Sequence, residues 1–341
     1  MSRLQRSCGV AALALAIGVF VWATDGAGQP APRMRVLLDT DANNELDDQH
    51  AIAYMLFSGD RFDVDGITVN RTRGGGGIDE QMAEAVRVVR LAGLHGRIPV
   101  HKGAAGSFEQ IAPHIGGNRF DGSDAVQFII ERAHATRGGR LVLLPVGKLT
   151  NIALALKKDP SIAAKVRIVW LGSNYPDPGE YNQENDEPAL TYLLDSSAPL
   201  EIALVRYGKP GGTDAVRVTR EEIRARMAGK GPRIAQPVIG RHGGEFRTFG
   251  DYSIDLFEHI NLSGSPPSRA LYDMAAVAIV KNASWAKSRR IPAPKLVNSR
   301  WVEQPDNPRA ITVWEDFNRG AILADFYQVM DRPRLAERTR N

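Results

Sequence analysis

From residue 34 onward the chain alternates two hydrophobic patterns. Short, nearly continuous apolar runs predict buried strands at Met34 to Asp39, Leu141 to Pro145, Val166 to Trp170 and Leu200 to Val205, and Phe62 to Val69 is strand-like despite its two aspartates. Between them apolar residues recur every three or four positions, as at Ala51, Ile52, Met55 and Leu56, which predicts helices with a buried side. The helices expected on this basis are 47–57, 79–92, 125–135, 149–157 and 188–194. Strand and helix alternate with short links, so the pattern predicts an α/β fold: an open, mostly parallel central sheet with helices on both faces. Beyond Arg217 the alternation gives way to helical stretches at 220–227 and 234–241, then a Gly/Ser/Pro-rich loop leading into ALYDMAAVAIV. No linker separates this part, so residues 34–330 are expected to form a single domain with C-terminal helical additions.

Composition narrows the class without changing that picture. With 43% hydrophobic and 24% charged residues the 341-residue chain is neither disordered, collagenous nor coiled-coil. Lys+Arg 43 against Asp+Glu 39 is a mild and dispersed surplus, so no nucleic-acid partner is implied. The first residues differ in kind. Arg3 and Arg6 precede an uncharged run from Ser7 to Thr24 and then a polar Gly/Pro-containing stretch, the pattern of a secretory signal peptide. Residues 1–27 are therefore expected to be cut near Ala23 or Ala27. The alternative is an uncleaved anchor, since the run is near the lower limit for spanning a bilayer. Cleavage would leave an exported protein, periplasmic or secreted, with no membrane partner. Cys8 lacks a lipobox context and lies inside this segment, so the mature chain would hold no cysteine, which removes disulfides, Cys-ligated zinc and thiol nucleophiles.

Chemistry concentrates after the first strand. LLDTDANNELDDQHAIA carries Asp39, Asp41, Glu45, Asp47 and Asp48, five carboxylates within ten residues. They repel one another unless a cation or protons neutralise them. Oxygen-only donors suit Ca²⁺ or Mg²⁺. The location, between a strand's carboxyl end and a helix start, is where ligands gather in this architecture. An acidic helix cap is the bland alternative, but a cap needs one or two acids rather than five. A DxD after a strand is also found in haloacid-dehalogenase phosphatases, which want Thr or Val where this chain has Asn43.

DTDANNELDDQHAIA resembles the N-terminal motif of the nucleoside hydrolases, with five residues, Ala42 to Leu46, between DxD and DD where three are usual. LPVGKLTNIALAL, LGSNYPDPGEYNQENDEPA and ALYDMAAVA resemble, in the same order, that family's strand–turn–helix segment, its ribose-binding segment and its late Asp. The resemblance implies Ca²⁺ at the strand ends and hydrolysis of the N-glycosidic bond of a ribonucleoside. Carried over by position, Asp41, Asp48, Asp273 and the carbonyl of Val146 would hold the metal. Asp41 would also take the proton from the attacking water. Asp47, Asn174, Glu180 and Asn182 would hold the ribose, and Asp39 would orient the loop from behind. A homo-oligomer, dimer or tetramer, is expected by the same analogy.

The carboxylates suit the chemistry, because cleavage at C1′ passes through an oxocarbenium-like state. One position departs from the pattern. Some family members place a His before the late Asp to protonate the leaving base; here it is Tyr272, a weaker acid at its reference pKa near ~10. His50, His101, His242 and His259 are expected to be structural or surface residues. Tyr207, Phe249, Trp301 and Trp314 are candidates for stacking on the base, against the alternative that they are core. Two competing functions remain open at this level: a ribosyl-binding protein with weak catalysis, and a hydrolase of another glycosyl compound.

Overall fold

Strand β1 (Met34–Thr40) is the hub of the computed structural model, which describes residues 33–135 and 139–338. The expected signal peptide lies outside the described residues. β1 pairs in parallel with β2 (Phe62–Val69) on one side and with β4 (Leu141–Pro145) on the other. Beyond β2 lies β3 (Val100–Lys102); beyond β4 follow β5 (Val166–Leu171) and β6 (Leu200–Ala203). All these pairings are parallel.

The helices that cross between strands are α1 (Asp47–Leu56), α2 (Ile78–Leu91), α3 (Phe108–Ile111), α4 (Ser123–His134), α5 (Thr150–Lys158), α6 (Tyr181–Asn185) and α7 (Glu187–Asp195). They agree with the periodicity to within two residues wherever a helix was expected. The alternation of strand side chains explains why both faces are covered. Val36, Leu38, Val142 and Leu144 point into one core, shared with α1 and α2, while Leu37, Leu141 and Leu143 point into the other, shared with α4, α5 and α7. Each fully buried Leu, Ile or Phe contributes about 1.5–3 kcal/mol.

The C-terminal part adds more than helices. After the short strand β7 (Arg217–Thr219) come α8 (Arg220–Met227), the strands β8 (Val238–Gly240) and β9 (Gly243–Phe246), α9 (Phe249–Glu258), β10 (Ser268–Ala270) and α10 (Tyr272–Lys281). β11 (Lys287–Pro292) and β14 (Ala310–Glu315) flank the small β12 (Lys295–Val297) and β13 (Arg300–Val302) hairpin, and α11 (Arg319–Asp331) closes the chain. β14 joins β6 in parallel and β11 runs antiparallel at the edge, giving an eight-stranded sheet in the order β11-β14-β6-β5-β4-β1-β2-β3. α9, α10 and α11 pack on the same face as α1.

The helix expected at 234–241 does not form; that segment runs into β8, which pairs with β9 across a tight turn. Pro237 removes a helical donor, Val238 and Ile239 are β-branched, and Gly243 and Gly244 take the positive φ values, 89° and 74°, that the turn needs.

Strand order sets the site. The chain steps outward from β1 to β2 and β3, then returns to place β4 on the opposite side of β1. The crevice beyond the carboxyl ends of β1 and β4 is therefore a topological switch point.

Candidate active site

Three backbone turns converge on that crevice. β1 ends at Asp39 and Thr40 and delivers Asp41; β4 ends at Pro145 and delivers Val146 and Gly147; α1 and α10 begin there with Asp47, Asp48 and Asp273 in their first turns. Carboxylates in the first turn of a helix meet the positive end of its dipole. α1 is held rigidly for this purpose, since every one of its residues is buried. It is anchored from outside: the Gln49 amide donates to the Ala42 carbonyl at 2.8 Å and to Glu84 at 3.0 Å.

A cavity of about 260 Å³ opens over these turns. Its lining includes Asp41, Asp47, Asp48, Val146, Glu180, Asn182, Tyr272 and Asp273. Asp41, Asp48 and Asp273 are 2–3% exposed. One oxygen from each of Asp47, Asp48 and Asp273 can be found within 4.8 Å of the other two. Burial raises the pKa of all four aspartates. Asp47 is pushed up to about 7 by burial and by the charge of Asp41, and Asp48 to about 7 by burial and by Asp47. Asp41 and Asp273 are raised by burial and then by the neighbouring carboxylates. Crowded, buried, oxygen-only donors of this kind fit a hard divalent cation, which keeps them ionised where they would otherwise take up protons.

The polar groups around the cluster fix individual oxygens. Thr40 donates its hydroxyl to Asp48, and Thr72 donates to Asp41. Asp39 is fully buried and does not line the cavity. It accepts from Thr68 and Asn70 at 2.6 Å and from Asn151 at 2.7 Å, tying β1 to β2 and α5 directly behind Asp41. Burial still raises its pKa to about 6.

The expected sugar-binding residues divide. Asn182 lines the cavity, and its amide donates to the carbonyls of Val146 at 2.8 Å and Leu171 at 3.1 Å, so it braces the two strand ends. Glu180 caps α6, accepting from the backbone of Asn182 at 3.0 Å and Gln183 at 2.9 Å, and from Ser173 at 2.8 Å. The remaining direction on its carboxylate meets only the Tyr207 hydroxyl, at 3.4 Å. Asn174 is not part of the cavity lining. It donates to the Gly179 carbonyl at 3.1 Å and accepts from the Tyr207 backbone at 3.2 Å, so it shapes the loop that carries Glu180.

Tyr272 lines the cavity, but its hydroxyl donates to Asp214 at 2.7 Å. Burial and that carboxylate push its pKa upward. His50 is fully buried, bonded to the Leu46 carbonyl at 2.6 Å and to Ser253 at 2.7 Å, and burial lowers its pKa to about 4. His101 stacks on Phe128, and His242 on His259. Among the described residues no histidine lines this cavity. Of the four candidate stacking aromatics only Tyr207 reaches it; Phe249 and Trp314 are core, and Trp301 packs edge-on against Tyr175.

Several lining residues have no role assigned from the motifs: Asn44 and Glu45 come from the lengthened loop after β1, Tyr181 from the start of α6, and Arg269 from β10. Thr72 and Asn70 follow β2, and the rule that function gathers after strand ends would have pointed to them.

Comparison with known proteins agrees with this geometry. A family model described as inosine-uridine preferring nucleoside hydrolase matches residues 36–338. A pyrimidine-specific ribonucleoside hydrolase, RihB, of Escherichia coli (strain SE11) is 25% identical over 293 residues, covering 78% of this chain and 84% of that protein. A plant nucleoside hydrolase, PpNRh1, superposes with a TM-score of 0.68 at 18% identity, over 89% of this chain and 100% of the other. A purine-preferring ribonucleoside hydrolase from Gardnerella vaginalis gives 0.65 at 21% identity, over 87% and 98%.

Proposed function

Because the chain belongs to the inosine-uridine preferring nucleoside hydrolase family, and its enzyme class is that of the N-glycosyl hydrolases, we propose that it is an exported, Ca²⁺-dependent ribonucleoside hydrolase releasing free base and ribose. The observation that carries this reading is the gathering of Asp41, Asp47, Asp48 and Asp273 around one cavity at the switch point, with Glu180 and Asn182 on its wall. Export rests on the basic, apolar and small-residue pattern of residues 1–27.

Asp48 and Asp273 are common to the motif-based metal set and to the tightest carboxylate group, and they would hold the ion together with Asp41, Asp47 and the Val146 carbonyl. That carbonyl accepts from Asn182 and has a second lone pair free. A bound Ca²⁺ supplies charge that neutralises the cluster and lowers the pKa of the attacking water. Asp41, with one oxygen fixed by Thr72, takes that water's proton. The buried carboxylates face the positive charge that develops at C1′. A sugar hydroxyl replaces the long Tyr207 contact on Glu180, the weakest bond that carboxylate makes.

The test is to incubate the mature protein with a panel of purine and pyrimidine ribonucleosides and follow free base and reducing sugar, with and without a chelator. Base release that stops on chelation and returns with Ca²⁺ supports the reading. Release indifferent to divalent cations, or no release from any ribonucleoside, overturns it.

A further inference from the structure

The cavity has a deep part and a rim. Asp41, Asp47, Asp48, Asp273, Glu180 and Asn182 are buried and form the deep part. The rim is made by Asn44, Glu45, Tyr181, Tyr207, Tyr272 and Arg269, all partly open to solvent. A ribosyl group held in the deep part presents its leaving group to the rim, so the rim must deal with the electron pair left behind when the glycosidic bond breaks.

The rim is poorly supplied with protons to give. The Tyr272 hydroxyl is committed to Asp214, which is held in turn by Arg217 at 2.8 Å and by the Gly208 backbone at 2.9 Å. The Tyr181 hydroxyl accepts from Gly74 at 2.8 Å and donates to Asn44 at 3.2 Å. The Tyr207 hydroxyl is directed at Glu180, and burial and that carboxylate hold its pKa above the ordinary value, so it stays a poor acid when a sugar hydroxyl displaces the contact. Glu45 is ion-paired with Arg269. What the rim does offer is permanent positive charge. Arg269 is the cation in the lining, shared there with Tyr272 and Asp273, and its side chain is only 18% exposed.

We propose that Arg269, oriented by Glu45, stabilises the departing base as an anion, so that this enzyme selects leaving groups with a hydrogen-bond acceptor beside the scissile nitrogen rather than protonating them. The proposal rests on the nucleoside hydrolase reading above. The C1′–N bond breaks with its electron pair going to nitrogen. The water oxygen bonds to C1′ and its proton goes to Asp41. The base leaves as an anion whose charge is spread onto the acceptor facing the guanidinium, and it takes its proton from solvent after release. A uracil-type base, with a carbonyl next to the leaving nitrogen, fits this demand. A planar fork of donors suits a delocalised anion better than a point charge does.

The loop that carries Glu45 is built to hold this position. Asn43 donates to the Gly75 carbonyl at 2.8 Å and its backbone N–H donates to Gln81 at 2.6 Å. Arg241 donates to the Asn43 carbonyl at 3.3 Å. Gly75, at φ 73°, lies so close that a Cβ would sit 2.5 Å from the backbone carbon of Asn43. The lengthened loop thus places a carboxylate beside Arg269 on a rigid support.

The experiment compares the Ca²⁺-supplemented wild type with Arg269→Gln, Arg269→Lys and Glu45→Gln on uridine and on a series of aryl ribosides of graded leaving-group acidity, including p-nitrophenyl riboside. Removing one preorganised donor from a developing anion costs about 10²–10³-fold. Arg269→Gln should therefore lose about that factor in kcat on uridine and less than about tenfold on p-nitrophenyl riboside, whose anion needs little help. The slope of log kcat/KM against leaving-group pKa should steepen in that variant. Arg269→Lys, which keeps the charge, should fall between, and Glu45→Gln should steepen the slope without abolishing turnover. Equal losses on all leaving groups, a change confined to KM, or no change would each overturn the proposal. Should Arg269→Gln fail to fold, the Arg269→Lys and Glu45→Gln slopes decide alone. A wild type inactive on every ribonucleoside sinks the parent reading and this one together; an active wild type with an unchanged slope in the variants sinks this one only.

Discussion

Gly147→Ala is the sharpest probe of the catalytic geometry, because it adds one methyl group directly against Asp41. A Cβ at this position would lie 2.6 Å from the Asp41 carboxylate, 2.9 Å from the Asn70 amide nitrogen and 3.0 Å from its oxygen. Ordinary contact begins near 3.4 Å, so the shortfall at Asp41 is about 0.8 Å. The backbone can accept alanine, since Gly147 is not among the positive-φ glycines. Neither neighbour moves freely: Thr72 holds Asp41, and Asn70 donates to Asp39 at 2.6 Å. Nor can the added methyl back away easily, because the Gly147 carbonyl accepts from Trp170 at 3.0 Å. The Asp41 carboxylate must therefore shift by most of that shortfall. A displacement near 1 Å costs on the order of 10²-fold in turnover, and overpacking costs about 1–3 kcal/mol in stability. Steady-state hydrolysis of p-nitrophenyl riboside gives kcat and KM, and thermal unfolding by circular dichroism gives the stability. The expected result is kcat lower by roughly 10²-fold, a KM little changed and a melting temperature lower by several degrees. Gly116→Ala, where an added Cβ meets nothing within 4 Å, is the matched control and should behave as wild type. A Gly147→Ala enzyme with wild-type kcat would refute the placement of Asp41 at the reacting centre.

Asp41→Asn keeps the shape but removes the base, and should lower kcat by about 10²–10⁴-fold while ribose inhibition stays near its wild-type strength; near-normal turnover would transfer the base role to Asp47 or Glu45. Asp48→Ala should lose bound Ca²⁺ and activity together, read by elemental analysis and the nucleoside assay, and retention of stoichiometric metal would count against its role as a ligand. Chelation should lower the melting temperature of the wild type, since a ligand at 100 times its Kd stabilises by about 2.7 kcal/mol; an unchanged melting curve on calcium readdition would contradict a structural cation. Tyr272→Phe should change inosine and p-nitrophenyl riboside hydrolysis by the same small factor, because its proton is engaged with Asp214; a loss confined to inosine would make Tyr272 the acid after all.

The sheet was legible where burial is complete. β1, β4 and β5 lie buried under both layers, so most of their side chains are apolar and read as runs, while β2, equally buried, is interrupted by Asp63 and Asp65. β11 was not legible, because the edge strand KSRRIP exposes most of its residues and carries the charges that blunt an open edge. The segment 234–241 was misread because a short apolar stretch has no period long enough to separate helix from strand, and Pro237 and the glycines after β8 were the better guide.

The site was legible as a set of carboxylates but not as a division of labour among them. Asp39, Asp41, Asp47 and Asp48 are the same residue type within ten positions, and nothing in that string separates a buried brace from a group that meets substrate. The separation comes from other elements. Thr68, Asn70 and Asn151 surround Asp39 and turn it inward, while Thr72, from the end of β2, leaves Asp41 facing the cavity. Likewise Glu180 and Asn182 read as sugar ligands in a motif, yet much of their hydrogen-bonding capacity is spent on capping α6 and bridging β4 to β5. Arg269 stood outside every motif, since its meaning depends on Glu45, a residue far away in the chain. In a low-dielectric crevice an ionisable side chain does what its neighbours permit, and those neighbours are set by strand order and helix packing. Residue type can locate such a site, but only the fold separates an acid turned inward as a brace from one that lines the cavity, and brings a distant cation to the rim.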